Sequence, residues 1–425
     1  MRGGERTRHT ATTSSSITRD RQTARWRFQS MEIRDLVLVG GVRTPMGAFN
    51  GSLAEVSAIE LGVHAAKALF ERTGVSPRAV DHTIVGNALQ TSRDAIYCAR
   101  HVALYAGVPQ ERPAVTVNRL CGSGIEAIVQ GAHRVLLGEA GVCLVGGVES
   151  MSQAPHVVWG ARRGFRFGSG KFEDYLMASL KDPFCGCYMA DTSNNLARDY
   201  RISRQQQDEF ALASQQRAAA AWESGRLAGE VAPIEVGEGK RAKTVERDEH
   251  LRPDTTLEGL AKLPPAFDDD GSVTAGNASG IVDGAAMTLV TSAERAAAEG
   301  WPVAGRLLGW QVVGVDPSRM GIGPAPAISQ LLDRLGMAVG DLDLIEINEA
   351  FAGQILAVVR ELAIDQAKLN VNGGAIALGH PLGATGTRIT NTLLAELARR
   401  GGGRGVASAC IGGGQGIALA VEAAG

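Results

Sequence analysis

The chain has 425 residues, 44% of them hydrophobic, with 43 Lys and Arg against 45 Asp and Glu and a formal net charge of -2. That balance excludes a basic nucleic-acid surface, and every long apolar run is broken by Gly, Pro or a charge before the ~20 residues that a membrane helix needs. The six cysteines are too sparse for a disulfide scaffold, and no CxxC pair offers metal-ligand spacing, since one residue separates Cys185 from Cys187.

A soluble protein of a reducing, cytoplasmic compartment is therefore expected, with no metal. Residues 1–30 are rich in Arg, Ser and Thr and poor in acids. They fit either an organellar transit peptide or an extension upstream of the true start, because Met31 opens a clean strand pattern. The absence of an apolar stripe at helical spacing favours the second reading.

From Met31 onward short Val, Ile and Leu runs alternate with helical segments: "DLVLVG", "SAIELGVHAAKALFERTG", "AVDHTIVGNAL", a helix following Cys121, then "GVCLVGGVES". That alternation predicts a layered α/β fold with parallel strand pairing. Residues 151–281 carry more charge and weak strand signals. One helix is clear there, opened by a Ser203-x-x-Gln206 capping box and running to Gly225, so this stretch reads as an insertion. The α/β grammar returns with "GRLLGWQVVGV", "PAPAISQLLDRLG" and "LDLIEINEAFAGQILAVVRELAI".

Two stretches reveal a duplication: "CGSGIEAIVQGAHRVLLGEAGVCLVGG" and "LGATGTRITNTLLAELARRGGGRGVASACIGGG" each give a glycine turn, a helix, a Gly-rich connection and a buried strand. The predicted division is residues 31–150 and 282–302 as the first half, 151–281 as the insertion and 303–425 as the second half.

Chemistry concentrates at the glycine turns. Cys121 precedes Gly122-Ser123-Gly124 at a predicted helix N-terminus, where free N–H groups and the helix dipole favour a thiolate; the same residue equally reads as a buried structural cysteine. His380, fixed between Gly379 and Pro381, reads as a positioned base or as a satisfied core histidine. Cys410 ends an apolar strand before Gly412-Gly413-Gly414 and reads as a second reactive thiol or a packing residue. Asn348 is a site residue or a helix cap, and Glu349 a site residue or a salt-bridged acid at a helix start. The run "GSGIEAIVQG" has neither the Lys-Ser/Thr of a phosphate loop nor the acidic partner of a dinucleotide site.

The motifs "VRTPMGAFNGSL", "VNRLCGSG", "GGVESMS", "TAGNASG", "INEAFA", "NGGAIALGHPLGATG" and "CIGGGQG", in this order, resemble those of the thiolases. The resemblance runs from Met31 to the C-terminus. It implies a five-layered α/β/α/β/α core of two duplicated halves with an inserted loop domain that binds coenzyme A. It also implies a homodimer or homotetramer that holds no permanent cofactor and takes coenzyme A thioesters as substrates.

By the same resemblance Cys121 takes the acyl group, His380 removes its proton, Cys410 is the second acid/base, and Asn348 holds a water that, with His380, stabilises an enolate. The N–H groups of Cys121 and Gly412 hold the thioester oxygen. Ser279 and Arg252 contact coenzyme A, and Ala350, Phe351, Met189 and Met320 line the pantetheine and acyl tunnel; a solvated surface charge is the alternative for Arg252. The implied reaction is reversible Claisen condensation, read first as acetyl-CoA C-acetyltransferase. A 3-ketoacyl-CoA thiolase for longer chains is the alternative, and a non-catalytic acyl-CoA binding protein a remoter one.

The chain departs from the family pattern at Tyr188, where His is frequent, at Asn194, where Glu is, and at Val282, where Asn is. Tyr188 places the acyl chain length in question. Ketoacyl synthases, the nearest rivals, lack the second cysteine, and a papain-type hydrolase does not fit the duplication.

Overall fold

A computed structural model of the chain describes residues 32–165, 167, 168, 170–239 and 242–424; the extension read over residues 1–30 lies outside them. Nine strands build the main sheet: β1 (Leu36–Arg43), β2 (His82–Gly86), β3 (Ala114–Val117), β4 (Val142–Glu149), β5 (Val282–Ser292), β6 (Val303–Gly314), β7 (Leu344–Ile347), β8 (Gly403–Ile411) and β9 (Gln415–Ala423). Their spatial order is β7-β8-β9-β6-β1-β5-β4-β2-β3, and the short strand Gly47–Ala48 pairs with β5 beside this row.

The row divides at the β1–β6 pair. Outward on one side run β1, β5, β4, β2, β3; on the other run β6, β9, β8, β7, followed by a single parallel bridge from Ile345 to Leu369 where a fifth strand would stand. The two halves therefore repeat one topology, as the internal repeat predicts. The predicted parallel pairing holds only at the flanks, where β2 pairs with β3 and β4, and β7 with β8; the central pairs are antiparallel. The reason is visible at β8–β9. Ile411 pairs with Gln415 across Gly412-Gly413-Gly414, and so short a turn can join only antiparallel strands.

The helices close five layers. An apolar core joins α1 (Ala58–Thr73) and α2 (Cys98–Tyr105) to one face of the first half. A second packs α3 (Ser123–Leu136) and α8 (Leu382–Arg399) between the halves, through Ile125, Ile128, Ile389 and Leu393. A third joins α6 (Pro324–Leu335) and α7 (Ala352–Leu362) to the outer face of the second half. The layer order is thus α/β/α/β/α.

Central helices α3 and α8 touch at their first turns. A Cβ on Gly124 would stand 2.5 Å from the Thr387 nitrogen, and one on Gly386 2.3 Å from the Ile125 nitrogen. Only glycine permits this approach, which sets the turns carrying Cys121 and His380 side by side.

Between β4 and β5 lie α4 (Met189–Asp199) and α5 (Arg204–Glu223). The predicted capping box at Ser203 and Gln206 opens α5; α4 was not anticipated. Apolar residues of α5 pack on the second half, Trp222 with Leu378 and Phe210 with Ile355 and Ile376. Asp248 fastens this region to the first half, accepting from both terminal nitrogens of buried Arg43 at 2.7 and 2.9 Å and from the Met46 amide at 2.8 Å.

Candidate active site

Cys121 sits in a single 3₁₀ turn, Leu120–Gly122, immediately ahead of α3. Leu120 adopts a left-handed conformation, φ 46°, which local hydrogen bonds enforce. Asn118 Oδ1 accepts from the Leu120 amide at 2.9 Å, and Ser123 Oγ donates to the Leu120 carbonyl at 2.7 Å. A side chain held against its backbone preference in this way is a mark of functional turns.

The helix start predicts a thiol of depressed pKa. Burial instead pushes the Cys121 thiol up to about 11, against the opposing effect of hydrogen bonds from the Gly412 amide and its own. Loss of hydration outweighs the amides, because a dipole's partial charges cannot replace the water a thiolate loses. The Gly412 contact nevertheless joins the β8–β9 turn to the Cys121 turn.

His380 is buried, and its ring is fixed at both nitrogens. Thr385 Oγ1 lies 2.6 Å from Nδ1 and donates its own hydrogen to the Pro381 carbonyl at 2.9 Å. The Thr385 hydroxyl must therefore accept from Nδ1–H, which leaves a lone pair on Nε2. Asn348 Nδ2, a donor, stands 3.3 Å from that nitrogen. Burial, with Arg388 second, drives the imidazole down to about 3. The result is a neutral ring in the tautomer that accepts a proton at Nε2.

Cys410 is fully buried near the end of β8. Burial first and the neighbouring Cys121 second hold its thiol far above the ordinary cysteine range. It packs with Met320, Ala350, Met189 and Phe351 in one apolar cluster. Asn348 is not a helix cap: α7 begins at Ala352, after Phe351. Asn348 Oδ1 is buried with no partner, an acceptor facing the site. Glu349 forms no salt bridge among the described residues, and accepts instead from Ser214, Asn370 and the Ile376 amide.

A cavity of about 450 Å³ opens beside these groups, and Tyr188, Met189, Arg252, Ser279, Phe351 and His380 are on its wall. Ala350 and Met320 lie behind that wall, beside Cys410. The guanidinium of exposed Arg252 donates to the carbonyls of Glu249 and Leu251 at 2.9 and 3.1 Å. Cys121 abuts an apolar cluster of Leu89, Met151, Leu176 and Leu382, of which Met151 and Leu382 are also on the cavity wall.

Two residues escaped the sequence reading. His250 lines the cavity, its ring within 2.5 Å of where a Cβ on Gly280 would be. Buried Glu149 accepts from the Asn87 side chain and the amides of Ala88, Leu89 and Gly383, at 2.8, 3.0, 2.9 and 2.8 Å. Its place in "GGVESMS", at the end of a wholly buried strand, was the available signal. Among the described residues no group of three acids, histidines or cysteines is arranged to hold a metal, and no helix is long and apolar enough to cross a membrane.

Two duplicated α/β halves that bring two cysteines together behind the wall of one cavity, with a histidine on that wall, define the architecture of a thiol acyltransferase. The family model "Thiolase, N-terminal domain" matches residues 36–294, and "Thiolase, C-terminal domain" matches residues 301–423. The chain belongs to the thiolase family and is an acyltransferase.

It is 52% identical over 391 residues to the mitochondrial 3-ketoacyl-CoA thiolase of Homo sapiens, covering 92% of this chain and 98% of that one. To the acetyl-CoA acetyltransferase of Pseudomonas aeruginosa it is 49% identical over 389 residues, covering 91% and 99%. The crystal structure of the human mitochondrial enzyme in complex with CoA superposes with a TM-score of 0.90 at 52% identity, covering 92% of this chain and 98% of that one.

Proposed function

We propose that the chain interconverts a 3-ketoacyl-CoA plus coenzyme A with acetyl-CoA and a shortened acyl-CoA through an acyl-enzyme on Cys121. The observation that carries this reading is the convergence of two thiols with a neutral imidazole whose Nε2 carries no proton and faces the Asn348 amide. In thiolysis the Cys121 sulfur attacks the 3-keto carbon while His380 Nε2 takes its proton. The carbon–carbon bond breaks, the acetyl-CoA enolate leaves, and the Cys410 thiol protonates its carbon.

Coenzyme A then gives its thiol proton to the Cys410 thiolate and displaces the acyl group from Cys121, which recovers its proton from His380. The amides of Cys121 and Gly412 hold the thioester oxygen, and a water on the unpartnered Asn348 Oδ1, together with His380, stabilises the enolate. The raised pKa of Cys410 suits this role, since a proton donor must keep its proton at neutrality.

Coenzyme A enters along the wall that carries Ser279 and Arg252, past Tyr188, Met189 and Phe351, with Ala350 and Met320 supporting it; the human relative solved with CoA supports coenzyme A as the ligand. No permanently bound cofactor is required. The working division is residues 31–150 with 282–302, and 303–425, for the two catalytic halves, and 151–281 for coenzyme A.

Acetyl transfer is the minimal substrate reading. The apolar cluster beside Cys121 favours the second, a 3-ketoacyl-CoA thiolase for chains longer than acetoacetyl. The unpaired edge of β3, flanked by exposed Ile96, Tyr97 and Tyr105, supports a homodimer, with a tetramer as the alternative; light scattering decides. Relatives include mitochondrial and bacterial enzymes, and fractionation of the full chain distinguishes a cytoplasmic from an organellar protein.

The decisive experiment is intact-mass analysis after incubation with acetyl-CoA alone. An acetyl adduct is expected on the native chain and absent from Cys121→Ala; its persistence in that variant overturns the assignment.

A further inference from the structure

The turn between Leu180 and α4 carries two cysteines that the acyl-transfer reading leaves unused. Asp182 N–H donates to the Cys187 carbonyl and Gly186 N–H to the Asp182 carbonyl, both at 2.8 Å, and Lys181 pairs with Tyr188 in an antiparallel bridge. Gly186, at φ 76°, bends the chain between the two cysteines. Residues two apart are separated by at most about 7 Å even when extended, and a bend between them shortens the gap toward the range that a disulfide spans. The Cys187 thiol points back at its neighbour, donating to the Cys185 carbonyl at 3.7 Å. Both side chains are half-buried, on a turn whose tip is open to solvent.

The residues that follow belong to the cavity. Tyr188 precedes the first turn of α4, packs against Phe267 with ring centroids 5.4 Å apart and the planes tilted by 37°, and carries Lys181 Nζ 5.2 Å from its ring centre. Both Tyr188 and Met189 are on the cavity wall.

We propose that Cys185 and Cys187 form a reversible oxidation site, closing to a disulfide that repositions Tyr188 and Met189 at the mouth of the substrate cavity. The oxidant class is a low-molecular-weight disulfide such as glutathione disulfide. The thiolate form of Cys185 attacks one sulfur of glutathione disulfide and expels one glutathione thiolate. Cys187 then loses its proton and attacks the Cys185 sulfur, expelling the second glutathione. Two protein thiols become one disulfide, and one glutathione disulfide becomes two glutathiones. A disulfide in so small a ring is strained and readily reduced, the property of regulatory rather than structural bridges.

The test uses the full chain, incubated with glutathione disulfide and then digested for peptide mass mapping. The peptide spanning 185–187 is expected to lose two hydrogens and to recover them with dithiothreitol. The effect on turnover rests on the reaction proposed above, and the readout separates the two. Oxidation of Cys121 removes active enzyme and leaves KM unchanged, whereas a cross-link at the cavity mouth raises KM by about fivefold, the low end of coupling between linked sites.

Cys185→Ser and Cys187→Ser should retain the basal activity, form no cross-link and show a KM indifferent to the oxidant. The proposal is overturned if the peptide stays a dithiol or carries only separate glutathione adducts, if the cross-link forms with KM unchanged, or if KM rises equally in Cys185→Ser. A reduced protein with no thiolase activity would sink the acyl-transfer reading instead, and the peptide map would still decide the oxidation site.

Discussion

The carboxylate of Glu149, at the end of β4 in the first half, accepts the amide hydrogen of Gly383 in the second half at 2.8 Å. The same carboxylate accepts from Asn87, Ala88 and Leu89. Ala88 in turn accepts the Asn118 side chain at 3.0 Å, three residues before Cys121. One buried acid therefore locks the turn of His380 to the turn of Cys121.

All four partners are donors, so a carboxamide at this position faces donors with its own N–H₂ group. Glu149→Gln is expected to leave two buried N–H groups unpaired and to cost about 2–5 kcal/mol by chemical denaturation. The rate kcat/KM should fall at least tenfold, about 1.4 kcal/mol, as the His380 turn relaxes. Unchanged kinetics with lowered stability would reduce Glu149 to a packing role.

Cys410 and Cys121 are assigned separable tasks, and one substitution can divide them. Cys410→Ala leaves Cys121, His380 and the Gly412 amide in place, so acetyl-CoA should still deposit an acetyl group on Cys121. Carbon–carbon chemistry loses its proton carrier and should slow by about 10²–10⁴-fold. Intact mass and steady-state thiolysis read the two outcomes, and loss of both would assign Cys410 to the first half-reaction as well.

The pH behaviour follows from half-buried Cys121 and buried His380. With its thiol near 11, the thiolate fraction of Cys121 in the free enzyme rises about tenfold per unit over pH 6–9. Iodoacetamide inactivation should follow it without a neutral plateau; a plateau would reveal a preformed thiolate–imidazolium pair. His380 falls to about 3 when folded, against an ordinary 6.5. Above pH 6.5 both folded and unfolded chains keep it neutral and it contributes nothing. As pH falls from 6.5 toward 3 only the unfolded chain gains the proton, so stability is lost across that window. Urea denaturation of His380→Asn should show a shallower loss there than the native chain.

The duplicated halves were legible because each half carries its own glycine turn, helix and buried strand, and chain-local patterns survive folding. The candidate site was legible only as turns: Cys121, His380 and Cys410 each stood beside glycines, but their convergence depends on the contact of Gly124 with Thr387 across 263 residues. Helix α4 was missed because half of its buried face is polar and Leu196 is its one large buried apolar side chain. Thr192, Ser193 and Asn194 are inside, and Asn194 Oδ1 accepts the amides of Ser272 and Val273 at 3.0 and 3.2 Å, so no apolar period marks it. The thiol pKa was misjudged for a related reason, since burial is set by distant residues while a helix dipole is local.

Beside Cys121 stands Met151, a 2% exposed side chain packed among Leu89, Leu176 and Leu382, and on the proposed reaction it is the place to test chain length. Methionine is flexible and yields to an entering acyl tail, whereas a phenyl ring is rigid and fills the same volume. Met151→Phe is expected to cost about 1–3 kcal/mol of stability through overpacking. A tail that runs into this cluster should be rejected, lowering kcat/KM for a 3-ketoacyl-CoA of eight or more carbons about tenfold more than for acetoacetyl-CoA, a difference of about 1.4 kcal/mol. Equal losses on both substrates would show that the tail leaves by the Tyr188 side, where Tyr188→Ala should then relax the selectivity.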